Sequence, residues 1–138
     1  MTLVKRKSGF AVLAKVPIKT ADLVVRAIEA KFKLLNSGVR TLTLDNGKEF
    51  VDHQAIDQSL GIQTYFADPY CSWQRGSNEK FNGLLRQYNP KKRRMETVTD
   101  EEMTMIENRL NHRPRKRLGF KTPHEVFQTA LNRFASCT

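Results

Sequence analysis

Cysteine is scarce in this chain. Its two cysteines, Cys71 and Cys137, lie far apart and neither has a CxxC neighbour. That spacing argues against a disulfide scaffold and against a cysteine-based zinc site. No apolar run approaches the roughly 18 residues of a membrane span. The opening Met1-Thr-Leu-Val-Lys-Arg-Lys-Ser8 carries charge but no apolar stretch of signal-peptide length behind it. A cytoplasmic protein with no membrane segment is the expectation. The three histidines, His53, His112 and His124, have no paired spacing and read as structural or surface groups. Internal repeats and low-complexity tracts are missing too. The shortage with most consequence is acid: 14 Asp and Glu stand against 24 Lys and Arg, a net charge of +10 in 138 residues. Such an imbalance points to a polyanionic partner, with DNA or RNA first, an anionic membrane surface second and an acidic protein third.

Apolar material is sufficient for a core, at 39% hydrophobic residues including eight Phe, so wholesale disorder is not expected. The length fits a single domain over 1–138, with an α/β portion over about 1–90 and a basic helical portion over about 91–138. Phe10-Ala-Val-Leu-Ala-Lys-Val16 reads as a buried strand, with Thr2-Leu-Val4 as its partner and Lys7-Ser-Gly9 as the turn. Pro17 ends that strand. Thr20 caps the next helix, which carries Val25, Ile28, Phe32 and Leu35 on one face and stops at Asn36-Ser-Gly38. Arg40-Thr-Leu-Thr-Leu44 alternates as a strand and runs into Asp45-Asn-Gly47, a turn signal. A helix over Phe50 to Leu60 and a strand over Ile62 to Phe66 follow, the strand closing at Asp68-Pro69. Gln74 to Tyr88 reads as a helix with Phe81, Leu84, Leu85 and Tyr88 on its apolar face. Thr99 and Glu102 form a capping box for a helix to Asn111 that buries Met103, Ile106 and Leu110. Thr122-Pro-His-Glu125 opens the last helix, whose core face is Val126, Phe127, Ala130, Leu131 and Phe134. Strands alternating with helices argue for an α/β layered fold.

Two carboxylates stand out. Asp45 follows a strand directly, where α/β sheets place ligands, although Asp-Asn-Gly is also an ordinary turn. Glu79 enters a helix flanked by Asn78 and Asn82, with Gly83 one turn later removing bulk beside it, although this could equally be a solvated polar face. Brought together, a strand-end and a helix carboxylate can hold Mg²⁺, which prefers hard oxygen ligands. Two such ions about 3.5–4 Å apart stabilise the attacking and leaving oxygens of phosphodiester chemistry.

The ordered text Thr2-Leu-Val-Lys-Arg-Lys-Ser-Gly-Phe10, Leu44-Asp-Asn-Gly-Lys-Glu-Phe50, Asp68-Pro-Tyr70, Ser72-Trp-Gln-Arg-Gly-Ser-Asn-Glu79, Asn82-Gly-Leu-Leu-Arg-Gln-Tyr88, Leu110-Asn-His-Arg-Pro-Arg-Lys116 and Thr122-Pro-His-Glu-Val-Phe127 resembles the catalytic core of insertion-sequence-30 type transposases, in the retroviral-integrase superfamily. The resemblance covers nearly the whole chain, and the separation of Asp45 and Glu79 also fits the family. It implies a ribonuclease-H-like fold, a mixed sheet flanked by helices with a helical C-terminal end. It also implies DNA cleavage and strand transfer dependent on Mg²⁺ or Mn²⁺. Asp45 and Glu79 would match the second and third acids of the family's Asp-Asp-Glu triad as catalytic, metal-binding groups. The family's first aspartate lies on a strand preceding the segment that matches Thr2 to Phe10. Asp22, Asp52 and Asp57 fall in or beside helices and do not replace it. The resemblance therefore implies a core lacking its first strand, an incomplete sheet edge, and weak metal binding with little or no catalysis by this chain alone. The helix-turn-helix region that reads transposon ends would be missing as well.

The basic residues complete the expectation. Lys91, Lys92, Arg93 and Arg94 follow the Glu79 helix, and Arg113, Arg115, Lys116, Arg117 and Lys121 form a second cluster with no acid among residues 113–121. Such runs are often solvated faces. Beside a candidate metal helix they read as phosphate contacts, joined by Arg75 and Arg86. Trp73 could stack on an unpaired base or pack in a turn. Three readings stand: a transposase core acting on transposon ends and target DNA, as a homo-oligomer or with intact transposase; a non-catalytic DNA-binding or regulatory remnant; and an unrelated basic RNA binder, which gives no reason for Asp45 and Glu79.

Overall fold

The computed structural model describes the chain except for residues 17–19, 36–38, 45–46, 69–70, 72–75, 91–92, 95–96 and 137–138. The expected stops at Pro17 and Asn36-Ser-Gly38, and the Asp45-Asn46 part of the turn, lie outside the described residues. Contacts divide the chain into two units: Met1 with Ala14–Gly76, and Thr2–Leu13 with Ser77–Thr138.

In the first unit, α1 spans Ala21–Leu34 and presents the expected apolar face. Val24, Val25, Ile28 and Phe32 are buried, and Leu35 just beyond it is half-buried. Thr20 stands at the cap position but its side chain makes no capping bond. No glutamate or glutamine lies three residues on to close a box. β3 (Thr41–Leu44) alternates as its sequence demands, burying Leu42 and Leu44. The helix expected from Phe50 begins later: Lys48–Phe50 is a 3-10 turn and α2 runs over His53–Leu60. Single 3-10 turns are common at helix starts. Ile56 anchors α2 with no exposed surface, and Gly61 ends it at φ +61°. β4 (Gln63–Phe66) pairs parallel to β3, with Thr41 opposite Gln63 and Leu44 opposite Phe66. The segment is thus a βαβ unit. Ile62 and Ala67 flank β4 and are buried, whereas Tyr65 and Phe66 remain exposed.

In the second unit, β1 (Thr2–Val4) and β2 (Ala11–Leu13) form the expected antiparallel hairpin. Lys5 N donates to Phe10 O and Gly9 N to Lys5 O, each at 2.7 Å. Gly9 takes φ +68°, a region glycine enters without steric cost. β2 is shorter than the seven-residue reading because it is only as long as its partner: past Leu13, one further pair joins Ala14 to Met1. Among the described residues the pairing is mixed: one two-stranded ladder is antiparallel and one parallel.

α3 (Gly76–Tyr88) and α4 (Asp100–Asn111) build the core on β2. Ala11, Leu13, Phe81, Val98, Met103, Ile106 and Leu110 form it, with Leu84, Leu85 and Tyr88 packed against it. The outer edge of β2 is not bare. Asn111, 2% exposed, accepts from Ala11 N at 2.9 Å and donates to Ala11 O at 2.7 Å. Glu107 Oε2 accepts from Leu13 N at 2.7 Å. Two side chains of α4 therefore replace a neighbouring strand and satisfy backbone groups that burial would otherwise penalise.

The box expected at Thr99 closes on one side only. Thr99 Oγ1 accepts from Glu102 N at 3.1 Å, but the Glu102 carboxylate is held by both arms of Arg93, at 2.5 and 2.9 Å. α5 (Pro123–Ala135) has the complete box, with Thr122 Oγ1 accepting from Glu125 N and Glu125 accepting from Thr122 N. Its buried face is narrower than expected. Phe127 is buried and stacks on Phe10 at 4.4 Å, while Val126, Ala130 and Leu131 are half-buried. The Phe134 side chain lies outside the description. Among the described residues no helix is long and apolar enough to cross a membrane.

Candidate functional site

Glu79 lies in the first turn of α3, where the helix dipole favours an acidic side chain. It is exposed, and among the described residues no group pairs with its carboxylate. Three other acids of the second unit are engaged: Glu102 with Arg93, Glu107 with the β2 backbone, and Glu125 in its capping box, whereas Asp100 and Glu101, in the first turn of α4, are exposed like Glu79. Arg93 holds Glu102 below its usual pKa, chiefly through the hydrogen bond between them. The Thr122 amide and hydroxyl do the same for Glu125. Beside Glu79, Asn78 Oδ1 is buried and accepts no hydrogen bond from the described residues. Asn82 is half-buried and Gly83 exposed. A Cβ built on Gly83 would meet nothing within 4 Å, so the chain's own packing does not require glycine there. In a helix interior that glycine costs about 1 kcal/mol relative to alanine.

Asp45 follows the last residue of β3 and lies outside the described residues, as do Arg75, Lys91, Lys92 and Trp73. Asp45 is therefore absent from any described cluster. Among the described residues no three His, Cys, Asp or Glu side chains group in a way that could hold a metal ion. The other aspartates weighed in the sequence have local roles. Asp22 pairs with Arg26 at 3.2 Å, Asp52 stands at the α2 cap position, and Asp57 accepts from the Thr64 hydroxyl.

The sequence-predicted basic residues divide by environment. Arg86 and Arg94 are exposed. Arg93 is half-buried and donates from both arms to Glu102. Arg113, Lys116 and Arg117 are exposed, and Arg115 is half-buried, donating to Leu110 O at 3.3 Å. Burial, and then the charges of Arg117 and Arg113, push the Arg115 guanidinium below its usual range.

Three features were not legible in the sequence. The hairpin turn lies against the second basic cluster, so close that a Cβ on Gly9 would stand 2.6 Å from Arg117 Nη2. Lys5, Arg6 and Lys7 thus join a charge cluster remote from them in sequence. His112 and His124 stack at 4.6 Å across the loop that separates them. Phe120, 71% exposed, has φ +64°. That left-handed backbone costs a bulky L-residue roughly 1–2 kcal/mol.

No family model matches the chain. Among curated proteins it is 42% identical over 132 residues to the transposase for insertion sequence element IS4351 of Bacteroides fragilis, covering 96% of this chain and 40% of that protein. It is 43% identical over 131 residues to transposase InsI for insertion sequence element IS30A of Escherichia coli K12, covering 94% and 34%. Over nearly its whole length the chain is similar to insertion-sequence-30 type transposases. It spans well under half the length of these relatives. The transposase for insertion sequence element IS1086 of Cupriavidus metallidurans matches at 39% identity over 130 residues.

Solved structures show the fold of the chain. The catalytic core domain of BIV integrase superposes with a TM-score of 0.72 at 22% identity, over 96% of this chain and 86% of that one. A simian T-cell lymphotropic virus intasome in complex with PP2A regulatory subunit B56 gamma gives 0.70 at 19% identity, over 90% and 46%. The fold is that of an integrase catalytic core, ribonuclease-H-like.

Proposed function

We propose that this chain is part of a transposase catalytic core and works in metal-dependent DNA cleavage and strand transfer. The observation that carries the reading is the exposed carboxylate of Glu79, in the first turn of α3 and without a partner among the described residues, beside the buried Asn78 Oδ1 that accepts no hydrogen bond from them. An unpaired carboxylate suits a hard divalent cation. Glu79 and Asp45 are the residues that would hold Mg²⁺ or Mn²⁺. When bound, the metal supplies charge stabilisation for the attacking hydroxyl and the leaving 3′ oxygen. The chain's own contribution is to position the DNA. Arg86, Arg94, Arg113, Arg115, Lys116 and Arg117, with Arg75, Lys91 and Lys92, contact phosphates and fix register without reading bases. Arg93 orders the approach to α4 through Glu102. Gly83 leaves open surface one turn from Glu79 for a strand to approach. The partners are transposon-end and target DNA in the cytoplasm, with a second copy or intact transposase in the assembly.

Nicking of supercoiled plasmid in Mn²⁺ tests the reading. Glu79→Gln is expected to lower nicking more than about 100-fold while DNA binding persists, since even the supporting partners of metal ligands are worth roughly 10–100-fold. Undiminished nicking by this variant would place the chemistry elsewhere. Binding without nicking by the parent protein would favour a DNA-binding role without catalysis.

A further inference from the structure

Phe120 is costly in two ways that folding does not recover. Its ring is 71% exposed, and its backbone sits at φ +64° directly after Gly119 at φ +63°. Glycine or asparagine is the usual occupant of such a position. The loop that carries it is not slack. Arg115 N donates to Lys121 O and Phe120 N to Arg115 O, both at 3.1 Å, and Leu118 N donates to Arg115 O at 2.9 Å. The loop emerges from the end of α4, where Asn111 is buried, and runs into α5, where Pro123 is buried and Thr122 completes a capping box. A hydrogen-bonded frame thus holds an aromatic ring out into solvent.

The surroundings of that ring are cationic. Arg113, Lys116, Arg117 and Lys121 are exposed on the same loop, and no acid occurs among residues 113–121. Arg117 reaches over Gly9, so the hairpin turn adds Lys5, Arg6 and Lys7 to one surface. Lys5 also lies over the Phe127 ring at 4.6 Å, which ties the turn to α5. An apolar protein surface would complement the ring but not the charge. An acidic surface would complement the charge but leave the ring in water. DNA satisfies both, through phosphates on its backbone and π-faces on its bases.

Building on the DNA reading above, we propose that the loop from Arg113 to Lys121 is a DNA-docking element in which Phe120 stacks against an accessible or distorted base while the loop and hairpin cations hold the flanking phosphates. Aromatic wedges set among basic residues commonly work in this way on deformed duplexes. The ring is a base contact and the cations are positioning groups, so the two respond differently to salt.

The test compares the purified parent protein with Phe120→Gly, Phe120→Asn, Phe120→Trp and Lys116→Ala on duplex DNA carrying 2-aminopurine. Phe120→Gly and Phe120→Asn relieve the left-handed backbone, so both are expected to melt no lower than the parent. Both should nevertheless bind DNA about 10-fold more weakly, with an unchanged salt slope and a loss of the 2-aminopurine signal. Phe120→Trp should retain affinity and signal. Lys116→Ala should lower the salt slope by about 1 and leave the signal in place. Parent-like affinity in both Phe120→Gly and Phe120→Asn overturns the proposal while leaving the DNA reading intact. A change of oligomeric mass with no change in DNA affinity also overturns it, and assigns the ring to self-association. A parent protein that binds no DNA removes the DNA reading itself.

Discussion

Thr20 and Thr122 occupy the same place in the two units, the residue before a helix. Thr122 closes a reciprocal box with Glu125, while the Thr20 side chain makes no capping bond. The contrast extends beyond the caps. In the second unit, side chains complete the backbone: Asn111 and Glu107 serve the edge of β2, and Glu102 is fixed by Arg93. In the first unit, order rests on apolar burial around Val24, Ile28, Leu42, Leu44 and Ile56. Its Asp22–Arg26 pair is exposed, the kind of pair worth little. Glu79 thus belongs to a unit with a polar framework, and β3, which leads into Asp45, to one held by apolar packing. A directional framework fixes side-chain positions more tightly than apolar packing does, and the unengaged Glu79 is set within it.

Four substitutions and one titration sharpen this comparison. Asn111→Ala should have the largest effect, about 3 kcal/mol by chemical denaturation, because it leaves a buried N–H and C=O of Ala11 without partners. A loss below the noise would mean that water replaces the amide and that the edge is not sealed. Thr122→Ala should cost about 1 kcal/mol, whereas Thr20→Ala should cost only a few tenths, since only the Thr122 hydroxyl accepts a capping bond that can be lost. Equal losses would erase the distinction between the units. Gly83→Ala should stabilise the fold by about 1 kcal/mol in the same assay, as the new methyl meets open space. Under the proposed function the firmer variant nicks DNA more slowly, and a faster one would remove Gly83 from the approach surface.

The pH response should be local to the second unit. Glu102 and Glu125 have folded pKa values below the ordinary glutamate value, Glu102 through Arg93 and Glu125 through Thr122. A depressed carboxylate contributes stability that is fully present above its unfolded pKa and is lost as pH falls through the folded one. Amide protection factors, corrected for the intrinsic pH dependence of exchange, should therefore fall at the starts of α4 and α5 as pH drops below the ordinary value of roughly 4.3. The start of α1 should change less, and a uniform loss of protection would point to global acid unfolding instead.

Much of the fold was legible because its signals are short-range. The i, i+3, i+4, i+7 spacing of Phe81, Leu84, Leu85 and Tyr88 located α3 and its buried face, and with it Glu79 in the first turn. The Thr122 box could be read from four consecutive residues. The start of α2 could not, because a 3-10 turn and an α-helical turn share local sequence preferences. Half of the box at Thr99 was misjudged for a different reason. Whether Glu102 turns back to its own cap or outward to Arg93 depends on where the chain before α4 passes, which no spacing rule contains.

By itself, then, the sequence determined the positive charge, the order of the elements, the faces that bury and a motif order shared with insertion-sequence-30 type transposases. These follow from composition and from periodicities a few residues long. Tertiary structure alone decided which polar groups are engaged. It turned Asn111 inward onto Ala11, paired Arg93 with Glu102, and laid Arg117 against the hairpin at Gly9. It also held Phe120 outward in a left-handed backbone. Each of these joins segments distant in sequence or sets a torsion angle from outside, and chain closure rather than local preference fixes the outcome.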